Sequence, residues 1–189
     1  MPASDRPALI LVDMQKGMSG SAGGPRNNPS AEDNIESLLA AWRKAGAPIV
    51  HVRHVSRTPG SPFWPGGDGV EFQSRFEPRA NEHVVEKNVP DAFVHSGLER
   101  WLRVRGIDRL VVVGVTTNNS VEATVRSAGN LGFSVNVVSD ATFTFDKRDF
   151  NGVLRSAEDV HAMSLANMAG EYASIANTSE AVAIVGRPQ

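Results

Sequence analysis

Six short runs rich in apolar and β-branched residues are spaced along the chain: ALILVD (8–13), PIVHVRHV (48–55), HVVEKN (83–88), RLVVVGV (109–115), SVNVVSD (134–140) and AVAIVG (181–186). Several are apolar at consecutive positions, which is how strands read when both faces of a parallel sheet are covered by helices. Helical stretches lie between most of them. Residues 30–45 open on Ser30 as N-cap and close before Gly46, a C′ glycine. Residues 95–105 put Leu98, Trp101 and Leu102 on one side and end at Gly106, and residues 119–131 end at Gly132. Residues 156–175 begin with Ser156 and Asp159 in capping-box spacing and carry Val160, Met163, Leu165, Met168 and Tyr172. This β–α alternation predicts a doubly wound parallel α/β fold.

One interval breaks the rhythm. Residues 56–82 are rich in Gly and Pro and contain Phe63, Trp64, Phe72 and Phe76. A long aromatic loop inside a compact domain reads as a lid or pocket wall, or as a packed surface loop. The 189 residues are expected to form one domain, 1–189, with a substantial core. A net charge of −2, with no basic run, gives no reason to expect nucleic acid or membrane-surface binding. No apolar stretch reaches the ~18–20 residues that span a bilayer, and the N-terminal region lacks signal-peptide features. The expected location is the cytoplasm. With no cysteine, disulfides and thiolate metal sites are excluded.

Open α/β sheets bind ligands beyond the carboxyl ends of their strands. Three reactive side chains occupy such ends: Asp13 after the first run, Lys87 after the third, and Ser120 after the fourth. Each has a plain alternative. Asp13 suits a cap or turn, Lys87 a solvated strand end, and Ser120 a helix cap. His51 and His54, three apart on a strand, point to opposite faces and make a poor metal pair. Asp140 ends a strand and suits a cap on the neighbouring turn. His161, inside the last helix, reads as exposed or at an interface. Glycine-rich dinucleotide and P-loop patterns are absent, so no nucleotide cofactor is expected.

The segments ALILVDMQKGM, VVEKNVPDAF and VVVGVTTNNSVEATVRSAGNLGFSVNVVSDAT resemble, in order and spacing, the signature blocks of the isochorismatase-like cysteine hydrolase superfamily. Nicotinamidases, N-carbamoylsarcosine amidohydrolases, ureidoacrylate amidohydrolases and isochorismatases belong to that group. The resemblance covers essentially the whole chain. It implies a three-layer sandwich around a six-stranded parallel sheet of order 3-2-1-4-5-6. It also implies an Asp-Lys-Cys triad, carried here by Asp13, Lys87 and Ser120. The backbone N–H groups of Thr116 and Ser120 would form the oxyanion hole, with a cis peptide between Val115 and Thr116. Nicotinamidase-type members hold a metal through an Asp-x-His pair and a further His. This chain has HVRHVS instead, and no metal or other cofactor is expected.

The departure from the pattern is Ser120, where amide-cleaving members have cysteine. A hydroxyl is far more basic than a thiol of pKa ~8.5, and Asp with Lys is not the His-based device that activates serine. Three readings stay open: an inactivated Cys-to-Ser form of a hydrolase of C–N bonds, an isochorismatase-type vinyl-ether hydrolase with Asp13 as acid, or a non-catalytic binding homologue. In the first, Asp13 is general base and acid, and Lys87 the electrostatic partner. The expected pocket has aromatic walls from Phe63, Trp64 and Phe93. Gln15 and Asn119 would read a polar group, and Met18, His54 and Thr117 complete the lining. A small-molecule substrate and a homo-oligomer, dimer or tetramer, are the expected partners.

Overall fold

Five of the six apolar runs become strands of one parallel sheet: β1 (Ala8–Val12), β2 (Ile49–His54), β3 (His83–Lys87), β4 (Arg109–Val115) and β5 (Ser134–Phe143). The structure is a computed structural model that describes residues 6–19 and 24–186. A short hairpin, β6 (Lys147–Arg148) with β7 (Leu154–Arg155), stands apart from the sheet. The sixth sheet strand is β8 (Ser174–Ala176), and the order is β3-β2-β1-β4-β5-β8. Counting only the sheet, this is 3-2-1-4-5-6, the expected topology.

The two-residue period of a strand divides the core. Ala8, Ile10 and Val12 of β1 enter one cluster with Leu98, Leu102, Val125 and Ala128. Leu9 and Leu11 enter the other, with Ile35, Leu38, Leu39 and Trp42. Helices α2 (Leu98–Val104), α3 (Glu122–Asn130) and α4 (Ala157–Met168) therefore serve the first face. Helices α1 (Ala31–Ala45) and α5 (Thr178–Gly186) serve the second. Helix α1 ends at Gly46 in the left-handed conformation, φ 63°. Ser30 precedes α1 but its side chain makes no cap bond. Ser156 does cap α4: the Asp159 N–H donates to its Oγ at 3.1 Å.

The end of the chain departs from the sequence reading. The run 181–186 is not a strand; it lies in α5, and the sixth strand precedes it. Local capping decides between the two. The Glu180 N–H donates to Asn177 Oδ1, the Asn177 N–H donates to Glu180 Oε2, and the Thr178 N–H donates to Asp140 Oδ1. Ala181 and Val185, four apart, then bury one face in the second cluster. The helix expected over 156–175 stops correspondingly early, at Met168. Gly114 shows a different constraint. It has φ 120°, and a Cβ there would stand 2.1 Å from the Val12 carbonyl oxygen, so the approach of β4 to β1 requires glycine. The register between β4 and β5 shifts at this point.

At the amino ends of β2 and β3, Glu82 joins Arg43 of α1, 2.7 Å from its Nε, to His51, 2.8 Å from its Nε2. Burial opposes ionisation of Glu82, but hydrogen bonds from Arg43, the Arg79 N–H and His51 outweigh it and bring its pKa down from 4.5 to about 2. A depressed carboxylate stabilises the fold fully above its unfolded value and loses that contribution as pH falls through the folded one. Stability is therefore expected to drop between pH 4.5 and about 2. Glu82→Gln should lower stability near neutrality and flatten that slope, as read from urea midpoints across the acid range.

Candidate active site

The carboxyl edge of the sheet gathers three side chains from three segments. The chain leaves β1 at Asp13 with φ 54°, a left-handed conformation that aspartate tolerates better than most residues. Lys87 is the last residue of β3, in register with His54 of β2. Ser120 lies in a π turn, Thr117–Val121, that leads into α3. The Val115–Thr116 peptide bond before this turn is cis.

Lys87 Nζ donates to Asp13 Oδ2 at 2.7 Å and to Ser120 Oγ at 3.3 Å. Asp13, Lys87 and Ser120 are 2%, 3% and 6% exposed, so the cluster is withdrawn from bulk water. Asp13 Oδ1 is buried and finds no hydrogen-bond partner among the described residues. Burial pushes the Asp13 carboxyl above the usual aspartate value, and the Lys87 ammonium works against that shift. His54 stands beside the pair. Burial and then the Lys87 charge hold its imidazole below the ordinary value, with Asp13 pulling the other way.

The expected pocket residues divide. His54 is half-buried, and the half-buried Phe63 meets its ring edge-on at 5.7 Å. Trp64 is 42% exposed on the long loop, and the Asn119 side chain is exposed. Met18 packs partly against the second core cluster. Phe93 goes elsewhere: its ring lies 5.7 Å from that of Phe133. Phe133 precedes β5, at the end of the sheet opposite Ser120, so Phe93 belongs to the first core and not to this cluster. Phe72 and Phe76 of the same long loop are likewise core residues.

Two polar assignments are corrected by hydrogen bonding. Gln15, fully buried, has no free group with which to read a ligand. Its Nε2 donates to the carbonyls of His54 at 2.9 Å and Val70 at 2.8 Å, and its Oε1 accepts from the His54 N–H at 2.8 Å. It staples the end of β1 to the end of β2 and to the long loop. Thr117 is also fully buried, and its hydroxyl meets His161 Nδ1 at 2.8 Å instead of facing a pocket. His161 is in turn buried, contrary to the exposed or interface reading. The buried face of α4 is Ala157, His161, Ser164 and Met168, whereas Met163 is exposed. That helical spacing was the available signal, hidden because two of the four positions are polar.

The histidines do not assemble a metal site. His51 is committed to Glu82 at 2.8 Å and His54 lies against Phe63. Among the described residues no group of three or more His, Asp or Glu is arranged to hold a metal ion. Nor is any described helix long and apolar enough to cross a membrane.

Fold and site together define a three-layer α/β protein with a buried carboxylate–ammonium–hydroxyl cluster at the carboxyl edge of its sheet. Residues 7–180 match the isochorismatase domain. The chain is 36% identical over 178 residues to the isochorismatase family protein YrdC of Bacillus subtilis, covering 94% of this chain and 95% of that one. It is 32% identical to the ureidoacrylate amidohydrolase RutB of Variovorax paradoxus, over 74% of this chain and 69% of RutB. An isochorismatase-family crystal structure from Chromobacterium violaceum superposes with a TM-score of 0.93 at 49% identity, covering 98% of this chain and 99% of the other. The chain belongs to the isochorismatase family of hydrolases.

Replacing Gln15 by Ala leaves three main-chain groups at two residues without this partner: the N–H and carbonyl of His54 and the buried carbonyl of Val70. Leaving such groups unpaired costs about 1–3 kcal/mol each when water cannot reach them. Gln15→Ala is expected to destabilise the protein by about 2–4 kcal/mol in urea unfolding, with faster proteolysis within residues 56–82 than in the parent.

Proposed function

We propose that this protein is an amidohydrolase-type member of its family, cleaving a C–N bond of a small molecule, with Asp13, Lys87 and the side chain at position 120 as its catalytic group. Ser120 is an impaired form of a device suited to a thiol. The observation that carries this reading is the buried Lys87 ammonium, 2.7 Å from Asp13 Oδ2 and 3.3 Å from Ser120 Oγ. An ammonium in that position favours the anion of the nucleophile. The start of α3 adds the positive end of a helix dipole.

Covalent acyl transfer is the reaction this reading assigns to the group. Asp13, through the Oδ1 that Lys87 does not hold, takes the nucleophile's proton. The nucleophile's electron pair bonds to the carbonyl carbon, and the carbonyl π pair moves to oxygen. Backbone N–H groups of Thr116 and Ser120 receive that oxyanion. Collapse breaks the C–N bond, and the proton on Asp13 goes to the leaving nitrogen. Water, giving its proton to Asp13, then attacks the acyl–enzyme. The acid departs and the proton returns to the nucleophile. In this reading His54, beside the Asp13–Lys87 pair, and Phe63 against its ring would meet the substrate.

A thiol suits this arrangement because its pKa is tunable to ~3.5–7.5, whereas a hydroxyl stays protonated at neutral pH without a stronger base. A second reading is favoured by one feature: burial raises the Asp13 carboxyl, which helps it hold a proton and act as the acid in vinyl-ether cleavage.

A substrate screen of Ser120→Cys with ureido compounds, half-amides, lactams and nicotinamide tests both. Turnover is expected to rise by about a hundredfold over the serine form on at least one amide. Asp13→Asn in the same background should then remove about 10²–10⁴ of it. No amide turnover by Ser120→Cys, with isochorismate cleaved by the unaltered chain and not by Asp13→Asn, would replace the first reading by the second.

A further inference from the structure

The π turn that carries Ser120 is held from behind by α4. Thr117, its first residue, is gripped twice. Its Oγ1 lies 2.8 Å from His161 Nδ1, and its carbonyl accepts from Ser164 Oγ at 3.0 Å. His161 and Ser164 are three apart on one face of α4, and all three side chains are buried. Ser164 Oγ also lies 2.7 Å from Glu122 Oε2, so its single proton is shared between the Thr117 carbonyl and that carboxylate. Arg126 fixes the other oxygen of Glu122, with Nη2 at 2.9 Å.

His161 Nδ1 is engaged with the Thr117 hydroxyl, a group that can donate or accept, so the pair is satisfied in either tautomer of a neutral ring. Burial keeps the ring below its ordinary pKa and hence neutral, although Glu158 on the preceding turn of α4 pulls the other way. One imidazole thus ties α4 to the turn.

From this geometry we infer that His161 and Ser164 are positioning residues, which clamp Thr117 so that the turn presents the side chain at position 120 to Lys87 and Asp13. A π turn is loosely closed by its own backbone: the Val121 N–H reaches the Thr116 carbonyl at 3.2 Å, five residues back. Its direction needs support from outside. Apolar residues would fill the same space without desolvating an imidazole, a hydroxyl and a carboxylate, and such burial is costly unless every group is bonded. The return for that cost is a fixed direction, and a reacting group displaced by about 1 Å loses about a hundredfold in rate.

The inference rests on the catalytic reading above, and a probe that needs no known substrate separates the two. The chain contains no cysteine, so in the Ser120→Cys background iodoacetamide reports on one thiol. The measurement is the alkylation rate constant across pH, with thermal unfolding recorded in parallel. His161→Leu should slow alkylation at neutral pH by about tenfold or more and raise the midpoint of its pH profile. His161→Asn, which keeps a hydrogen-bonding group close to the place of Nδ1, should restore most of the rate. Thr117→Val removes the same bond from the other side, should reproduce the Leu effect, and serves if His161→Leu fails to fold.

If the parent thiol is activated and neither His161→Leu nor Thr117→Val alters rate or midpoint, the positioning role is overturned, whatever happens to Tm. If the Ser120→Cys parent itself behaves as an ordinary thiol of pKa ~8.5, the catalytic reading fails and takes this inference with it.

Discussion

The Lys87 ammonium, buried between a carboxylate and a hydroxyl, is the contact on which the rest of the site depends. β1 separates from β3 by one intervening strand, so Asp13 and Lys87 start about 10 Å apart at their backbones. The four-carbon lysine stem closes that distance, and β4 delivers Ser120 from the other side of β1. The pair is almost fully desolvated. Removing one partner of such a pair leaves an uncompensated buried charge, which costs about 3–5 kcal/mol, while the intact pair contributes little net stability. Its presence is therefore weak evidence for stability.

Much of the neighbouring polar structure exists to keep this contact in register. Gln15 saturates its amide on His54 and Val70, locking the turn after Asp13 to the end of β2. Gly114 lets β4 approach β1 where a Cβ would collide with the Val12 carbonyl. Asn118 Oδ1 accepts from Thr144 Oγ1 at 2.6 Å, tying the Ser120 turn to the chain beyond β5. Thr117, His161 and Ser164 tie the same turn to α4. The side chain at position 120 is thus mounted beyond a strand end and braced from three directions, the kind of support that pre-organisation of a site would require.

The strands were legible because consecutive apolar residues leave few alternatives in a β–α alternating chain. The same logic failed at residues 181–186, where six residues are too few to tell a buried strand from a buried helix turn. Asn177, Glu180 and Asp140 carried the deciding capping information from outside the run. Asp13, Lys87 and Ser120 were legible from their places at strand ends and from the signature blocks around them. Gln15 and Thr117 were assigned to the ligand because a polar residue beside a reactive one looks available. Whether its donors and acceptors are already spent depends on backbone carbonyls brought near by the fold. His161 was missed for a related reason, since a helix face that buries histidine and serine among small and apolar residues does not read as a core stripe.

The most direct measurement is the thiolate titration of Ser120→Cys, followed by ultraviolet absorbance with and without Lys87→Met. With Lys87 present the thiol should ionise well below the ordinary ~8.5, and Lys87→Met should move that transition upward. A thiol that ionises at the ordinary value in both forms would show that the ammonium does not act on position 120. The three side chains would then be neighbours without a shared chemistry.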